Sequence, residues 1–438
     1  MLLNAADKAL WRLALPMIFS NITVPLLGLV DTAVIGHLDS PVYLGGVAVG
    51  ATATSFLFML LLFLRMSTTG LTAQAWGAKD PQRLARALVQ PLALALGAGV
   101  LIILLRLPLI DLALHIVGGS EAVLEQARRF LEIRWLSAPA SLANLVLLGW
   151  LLGVQYARAP VILLVVGNLL NIVLDLWLVM GLRMNVQGAA LATVTAEYAT
   201  LIIGLLMAKR VLTLRGVSLA MLKNAWRGDL RRLLALNRDI MLRSLLLQLC
   251  FGALTVFGAR LGSDIVAVNA VLMTMLTFTA YALDGFAYAV EAHSGQAYGA
   301  RDGSQWLEVW RAACRQSGMV ALAFALIYSL AGQYIIALLT SLPSLQQLAD
   351  RYLIWQTILP VVGVWCYLLD GMFIGATRGA EMRNSMAVAA AGFAVTLLTL
   401  PVLGNHGLWL ALAVFLALRG LSLALIWRRH WRRGTWFS

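Results

Sequence analysis

Long apolar runs, separated by short charged or Gly/Pro-containing breaks, follow one another along the whole 438-residue chain. A helix needs about 20 apolar residues to cross a bilayer, whereas barrel strands alternate in polarity over about ten residues. The runs are too long and too uniform for barrel strands, so helices are the remaining spanning structure. The pattern predicts twelve transmembrane helices, at residues 10–35, 44–70, 87–114, 127–151, 160–181, 187–208, 240–261, 265–290, 312–341, 350–375, 384–403 and 406–427.

The composition agrees with a membrane protein, since 61% of the residues are hydrophobic and only 12% are charged. These values exclude a disordered chain and a disulfide-stabilised secreted protein. The net charge of +13 comes from residues in loops rather than on one face of a soluble domain, so we expect no nucleic-acid partner. The three cysteines form no C-x-x-C motif and predict neither a disulfide nor a metal site.

The distribution of Lys and Arg among the loops predicts the orientation. Of the 33 basic residues, 24 fall on the side that carries both termini, seven fall on the opposite side, and Arg65 and Arg419 fall within spans. Cytoplasmic loops of membrane proteins are enriched in Lys and Arg. Both termini are therefore predicted to be cytoplasmic, in a multi-pass membrane protein.

An internal repeat relates the two halves of the chain. The segment 74–80, QAWGAKD, recurs at 296–302 as QAYGARD, with five identities in seven positions at an offset of 222 residues. Glycine pairs recur with the same or nearly the same offset, Gly149 and Gly153 with Gly371 and Gly375, and Gly188 with Gly407. The chain is therefore a duplication of a six-helix unit.

The repeat predicts the domain organisation. We expect an N-lobe at 1–208 with helices 1 to 6, a basic linker at 209–239 that lies solvated at the anionic cytoplasmic leaflet, and a C-lobe at 240–438 with helices 7 to 12 and a basic tail. An even number of helices gives both lobes the same orientation, related by a pseudo-two-fold axis along the membrane normal with a cleft between them. Secondary transporters use this all-α architecture. No Walker A motif is present, so we expect a transporter and not an enzyme.

Ionisable residues inside spans are costly and mark functional sites. In the N-lobe, Asp31, Asp175 and Thr193 fall at a similar depth, and Asn171 and Glu197 lie four residues from Asp175 and Thr193, on the same helical faces. A carboxylate in a poorly hydrated pocket takes up a proton more readily than in water, and these oxygens also suit Na⁺. The cluster is a candidate cation-coupling site for H⁺ or Na⁺, with structural hydrogen bonding between helices as the alternative.

The C-lobe does not repeat this cluster. Instead, Arg243, Asp284, Asp370 and Arg419 fall in the middle or inner part of their spans. Asp and Arg side chains there could pair across the lobe as a structural network, or form a second coupling or substrate site. The secondary candidates for a coupling site are Glu197, Asp284, Asp370 and Arg419.

Several motifs resemble the multidrug and toxic compound extrusion (MATE) family over essentially the whole chain. They are 15–21 (LPMIFSN), 29–36 (LVDTAVIG), the repeated glutamine motif, and Asn171 with Asp175 followed by Thr193. The resemblance implies cation-coupled antiport, with Asp31, Asn171, Asp175 and Thr193 as the H⁺ or Na⁺ site and Pro16 at a bend of the first helix. Asp370 matches an aspartate of other branches of the family, but helix seven offers Gln248 where those branches have a glutamate.

We therefore expect a monomeric antiporter of the bacterial inner membrane that exports amphipathic or cationic toxic compounds in exchange for H⁺ or Na⁺, without a cofactor. A lipid-linked oligosaccharide flippase of similar two-lobe build is the alternative, although Arg65, Arg243 and Arg419 are few and scattered for a pyrophosphate cavity. A membrane scaffold or sensor is a third class, and matched intramembrane carboxylates do not favour it.

Overall fold

The computed structural model describes residues 5–36, 41–228 and 230–437, with residues 23–33, 36 and 41 described by their backbone alone. Nearly all of the described chain is helical, and no strand occurs in these ranges. The helices are α1 Ala5–Gly36, α2 Pro41–Leu60, α3 Phe63–Gly77, α4 Pro81–Leu104, α5 Arg106–Val117, α6 Glu121–Arg134, α7 Ala138–Gly153, α8 Arg158–Asp175, α9 Asn185–Leu214, α10 Leu219–Lys223, α11 Leu230–Arg260, α12 Ser263–Gly299, α13 Gly303–Leu339, α14 Pro343–Gly375, α15 Gly379–Thr396, α16 Leu400–Leu403 and α17 Asn405–Arg433.

The helices confirm the fold class predicted from the apolar runs. Within the described residues, eleven helical segments are long and apolar enough to cross a membrane. The remaining predicted span, 10–35, coincides with α1, so the twelve-helix arrangement is consistent with the structure. Most helices extend beyond the predicted boundaries because their polar ends continue the backbone hydrogen bonding past the apolar run.

The chain forms two compact units, and their division does not follow helix boundaries. One unit comprises Met1–Ile18 and Ala235–Ser438, and the other comprises Phe19–Leu234. Each unit has its own apolar core, around the fully buried Trp150 in the second and around Trp409 and Phe415 in the first. The first half of α1 thus belongs with the C-terminal helices, and the first turn of α11 with the N-terminal ones. The lobe boundaries derived from the sequence remain a prediction.

The repeated glutamine motif forms the same helix–turn–helix junction in both copies. Lys79 and Arg301 occupy the left-handed region, with φ of 54° and 55°. Asp80 then caps α4 by accepting hydrogen bonds from backbone N–H groups, and Asp302 caps α13 in the same way. An aspartate at this position satisfies N–H groups that the first helical turn leaves without partners. The motif recurs because both junctions need the same turn and cap.

The repeated glycines allow equivalent helix contacts. A Cβ atom at Gly149 of α7 would lie 2.6 Å from the carbonyl oxygen of Arg65 in α3, and one at Gly371 of α14 would lie 2.8 Å from that of Ala287 in α12. Arg65 and Ala287 are themselves 222 residues apart. Small residues let helix backbones approach closely in membranes. The duplication predicted from the sequence is therefore present in the packing.

Part of the segment 209–239 packs against the Phe19–Leu234 unit, to which its residues before Ala235 belong. It contains the end of α9, the short α10 and the start of α11. Gln82 Nε2 donates a hydrogen bond to the carbonyl oxygen of Met221, and Gln90 Nε2 donates to that of Trp226, each at 3.4 Å. Ala225 is completely buried. Polar side chains of α4 thus bind the backbone of this part, while most of its own side chains are exposed. Its role as a solvated connection at the cytoplasmic leaflet stays a prediction.

Candidate functional site

The polar residues of α8 lie on its protein-facing side. Asn171 and Asp175 are 4% and 1% exposed, whereas Val173 between them is 61% exposed. A residue four positions away shares a helical face, so the two polar side chains point into the Phe19–Leu234 unit and the apolar ones point outward. A soluble amphipathic helix buries its apolar side, whereas α8 buries its polar side and exposes its apolar side. This arrangement suits a helix whose outer side faces lipid.

Asn171 of α8 and Thr193 of α9 are in direct contact. The Asn171 amide and the Thr193 hydroxyl group are joined by hydrogen bonds of 3.3 and 3.4 Å. The single hydroxyl proton of Thr193 is shared between Asn171 Oδ1 and the carbonyl oxygen of Ala189, one turn earlier in α9, at 3.4 and 3.2 Å. A pair of oxygen-bearing side chains from two helices thus lies one helical turn from the Asp175 carboxylate.

A segment of π-helix begins immediately after Asp175. It covers Leu176–Gly181, and the backbone N–H of Leu182 donates to the carbonyl oxygen of Trp177, five residues earlier, at 2.9 Å. π-Helical turns are rare in proteins, and those that occur often lie at functional sites. Gly188 of α9 permits this irregular segment to pack closely, because a Cβ there would lie 3.1 Å from the Leu178 carbonyl oxygen. The pattern of apolar residues does not predict this segment, and Gly181 and Gly188 are its signals in the sequence.

The other N-lobe candidates have different positions. Asp31 lies in α1, but its side chain lies outside the described residues, so its predicted proximity to Asp175 stays a prediction. Pro16 also lies in α1, two residues before the chain passes from one unit to the other at Ile18 and Phe19. The bend predicted at Pro16 therefore coincides with a boundary in the packing, while its role in switching stays a prediction.

Glu197 has protein partners of its own. Its Oε2 accepts a hydrogen bond of 3.0 Å from Asn144 Nδ2 in α7, and its Oε1 lies 4.0 Å from Nη2 of Arg134. The same Asn144 amide donates to the backbone carbonyl oxygen of Glu197. Glu197 thus ties α9 to α7 and to the end of α6, which is a structural use of the carboxylate.

In the C-terminal helices, Asp370 binds two arginines. Its Oδ2 accepts a hydrogen bond of 2.6 Å from Arg243 Nη2 and another from Arg419 Nη2. All three side chains are buried, and they join α14 to α11 and α17. The Asp–Arg pairing that the sequence suggested is therefore present. Asp284 of α12 is half-buried and acts electrostatically on the buried Cys366 together with these three residues.

The donor set in α8 and α9 has the chemistry of a hard-cation or proton site. The Asp175 carboxylate, the Asn171 carbonyl and the Thr193 hydroxyl group supply only oxygen ligands. No cluster of three or more His, Cys, Asp or Glu side chains that could hold a metal ion occurs in the described part of the chain. These oxygens fit an exchangeable coupling ion better than a tightly bound transition metal.

Comparison with known proteins assigns the class. The MatE family model matches residues 16–177 and 240–403, one match in each half of the duplication. The chain belongs to the MatE family, and is therefore a polytopic membrane transporter for small molecules and not an enzyme.

A particular relative narrows the assignment. DNA damage-inducible protein F of Escherichia coli K12 is 87% identical over 436 residues, which cover 100% of this chain and 95% of the relative. The sequence motifs resemble that branch of the family, and this match confirms the resemblance. It also supports a location in the bacterial inner membrane.

More distant proteins share the fold. A probable multidrug resistance protein, NorM of Acinetobacter baylyi, is 23% identical, with 96% of this chain and 94% of the relative covered. Crystal structures of a MATE protein in its straight and bent conformations superpose with TM-scores of 0.86 and 0.84 at 22% and 23% identity, each covering 98% of this chain and 96% of that one. At this identity they establish the fold alone.

Proposed function

We propose that the chain is a secondary antiporter that exports amphipathic or cationic toxic compounds in exchange for H⁺ or Na⁺ by alternating access. The observation that carries the proposal is the buried Asp175, which lies one turn from the hydrogen-bonded pair of Asn171 and Thr193 at the junction between α-helix and π-helix.

The physical basis is the cost of a buried charge. A carboxylate out of water is strongly destabilised unless a proton or a cation neutralises it. The proposed site consists of Asp175 and Asp31 as the acids, with Asn171 and Thr193 as neutral ligands. It would alternate between a form that holds the ion and a form without it. If each form favours one of two access states, ion and substrate binding are coupled, and that coupling acts reciprocally.

The two candidate ions make different demands on the site. A proton needs only one carboxylate that becomes neutral, whereas Na⁺ needs several oxygen ligands at the same time. The Asn171 carbonyl and the Thr193 hydroxyl group are available for the second purpose, so both ions remain in the proposal. Glu197 and Asp370 are less suited to carry the ion, because Asn144 and two arginines engage them.

The proposal includes three further expectations. Pro16 is a hinge in α1, both termini lie in the cytoplasm, and the transporter works as a monomer. In transporters built from two parallel repeats, alternating access is rocking of one repeat against the other. A bend in α1 would then change while both compact units keep their internal packing.

Counterflow in proteoliposomes tests the proposal. An imposed gradient of H⁺ or of Na⁺, each applied separately, should drive a cationic amphipathic dye across the membrane in the direction opposite to the ion flow when the wild-type protein is present. Asp175→Asn and Asp31→Asn should abolish the coupled flux. Asp111→Asn is the matched control, because Asp111 is exposed and pairs with Arg128 at the protein surface. Dye export that persists in Asp175→Asn, or that needs no ion gradient in the wild type, would contradict the proposal.

A further inference from the structure

A small cavity with basic walls lies where α4 and α11 begin, within the Phe19–Leu234 unit. Its volume is about 60 Å³, enough for a few water molecules or a group of the size of a phosphate. Its polar lining is dominated by arginine, and residues around it are Leu71, Arg83, Arg86, Gln90, Arg232 and Leu233. This cavity is separate from Asn171, Asp175 and Thr193.

Three arginine residues, Arg83, Arg86 and Arg232, line this cavity. Arg83 and Arg86 are three residues apart on one face of α4, and Arg83 is within electrostatic reach of both Arg86 and Arg232. The Nε of Arg86 is buried and has no hydrogen-bond partner in the described part of the chain. Asp80, which attracts Arg83, also uses an oxygen to cap α4. The cluster thus gathers positive charge that an anion would neutralise.

Arginine clusters of this kind suit phosphate. The planar guanidinium group donates parallel hydrogen bonds to phosphate oxygens and loses less hydration than an ammonium group when it is buried. Arg232 Nη2 is oriented by a hydrogen bond of 3.0 Å to Gln74 Oε1. Gly228 brings the linker backbone against Arg86, since a Cβ there would lie 2.9 Å from Arg86 Nη2. The next residue, Asp229, lies outside the described residues.

The duplication shows that the fold does not require the basic lining. The offset of 222 residues places Gln305 and Glu308 at the positions of Arg83 and Arg86. These two residues line a cavity of about 380 Å³ in the other unit, whose further wall comes from the first turns of α1. The fold thus makes a cavity at both equivalent places, and only the N-terminal copy is basic.

The surroundings of the basic cavity indicate a lipid rather than a dissolved anion. Trp226 and Leu219 of the adjoining linker are 56% and 69% exposed. The Trp226 carbonyl oxygen is bound by Gln90, which itself lines the cavity. Exposed tryptophan and leucine beside arginine are typical of a segment at the membrane interface. The Lys and Arg distribution places this end of α4 on the cytoplasmic side, where the leaflet carries anionic lipid.

We propose that this cavity binds the phosphate of an anionic phospholipid headgroup, held by Arg83, Arg86 and Arg232. The bound phosphate neutralises the arginine cluster and bridges α4 to the linker and to the start of α11. The proposal goes beyond transport and does not depend on which ion drives it.

Thermal unfolding of the purified full-length protein in detergent, titrated with phosphatidylglycerol, tests the proposal. The variant is Arg83→Gln with Arg86→Gln. The matched control is Arg428→Gln with Arg429→Gln, which removes the same charge from two exposed positions of the tail on the same predicted face. Phosphatidylcholine and inorganic phosphate are titrated in parallel.

Phosphatidylglycerol should stabilise the wild type and the control at the same concentrations, and phosphatidylcholine should not. Since each lost hydrogen bond from a guanidinium group to the phosphate lowers the affinity about tenfold, the double variant should need about 100-fold more phosphatidylglycerol. Equal responses of the double variant and the wild type would overturn the proposal and assign the counter-charge to the protein itself. If inorganic phosphate stabilises the protein as strongly as phosphatidylglycerol does, the proposal that the bound phosphate belongs to a lipid is overturned.

Discussion

Replacement of Asp370 by Asn tests whether the C-terminal Asp–Arg cluster holds the fold together. Asparagine keeps the shape of the side chain but removes the negative charge that both Arg243 and Arg419 bind. The two guanidinium groups would then stay buried near each other without that counter-charge. Because α11, α14 and α17 meet at this point, the loss should destabilise the whole unit that contains them.

The expected magnitude follows from the geometry. At a charge separation of about 4 Å and an effective dielectric constant of about 20, one Asp–Arg pair contributes about 4 kcal/mol. Dehydration of the three groups and repulsion between the two arginines offset much of the attraction of two such pairs. Removal of one partner from a buried pair typically costs about 3–5 kcal/mol. We expect Asp370→Asn to lower the free energy of unfolding by this amount.

The measurement is thermal unfolding of the purified protein, followed by tryptophan fluorescence. Asp350→Asn is the control, because Asp350 is exposed and its partner Gln333 can also hydrogen-bond to an asparagine. Asp370→Asn should unfold at a clearly lower temperature than both the wild type and this control. An unchanged unfolding temperature would refute the structural role.

A triple variant separates the structural role from a role in transport. Arg243→Met, Asp370→Leu and Arg419→Met together remove every charge of the cluster while keeping similar volumes. Replacing a buried ion cluster by apolar residues is often neutral or stabilising. If the triple variant is stable and transports, the cluster is structural, whereas a stable variant without transport assigns it to the transport cycle.

Two other substitutions, Gly371→Ala and Asn269→Ala, test the packing, and each has a control variant. Gly371→Ala should cost about 1–3 kcal/mol, because its Cβ would press on the Ala287 carbonyl oxygen. The control is Gly252→Ala inside α11, where the added Cβ meets nothing within 4 Å and should raise the free energy of unfolding by about 0.5–1 kcal/mol. If both variants shift the unfolding temperature in the same direction, the close contact of Gly371 with Ala287 is contradicted. Asn269→Ala should cost about 1–3 kcal/mol, since it leaves the buried Asn405 amide and the Trp409 indole N–H without their partner. The exposed Asn384→Ala is its control, and an equal unfolding temperature of the two variants would count against this pairing.

The sequence was sufficient to predict the helices and the duplication. Lipid cannot satisfy backbone polar groups, so a long apolar run must become a helix whatever surrounds it. The repeated motif QAWGAKD and QAYGARD was equally readable, because Asp80 and Asp302 cap their helices through local contacts. Local rules of this kind need no knowledge of the neighbouring helices.

The spacing of polar residues predicted only part of the candidate site. Four-residue spacing placed Asn171 and Asp175 on one helical face. Depth matched Thr193 with Asp175, whereas Thr193 is hydrogen-bonded to Asn171, one turn before Asp175 in α8. The same reasoning placed Glu197 with this group, whereas the structure gives it to Asn144 and Arg134. Periodicity defines the face of a residue but does not define which helix that face meets.

Tertiary packing alone decided the remaining features. The π-helical turn after Asp175 packs closely against Gly188 of α9. Asp370 binds Arg243 and Arg419 because three helices that are distant in the chain come together there. Membrane insertion fixes which segments become helices through the free energy of each segment by itself. The partners of their polar side chains are fixed later, by shape and charge across helices that lie far apart in the chain.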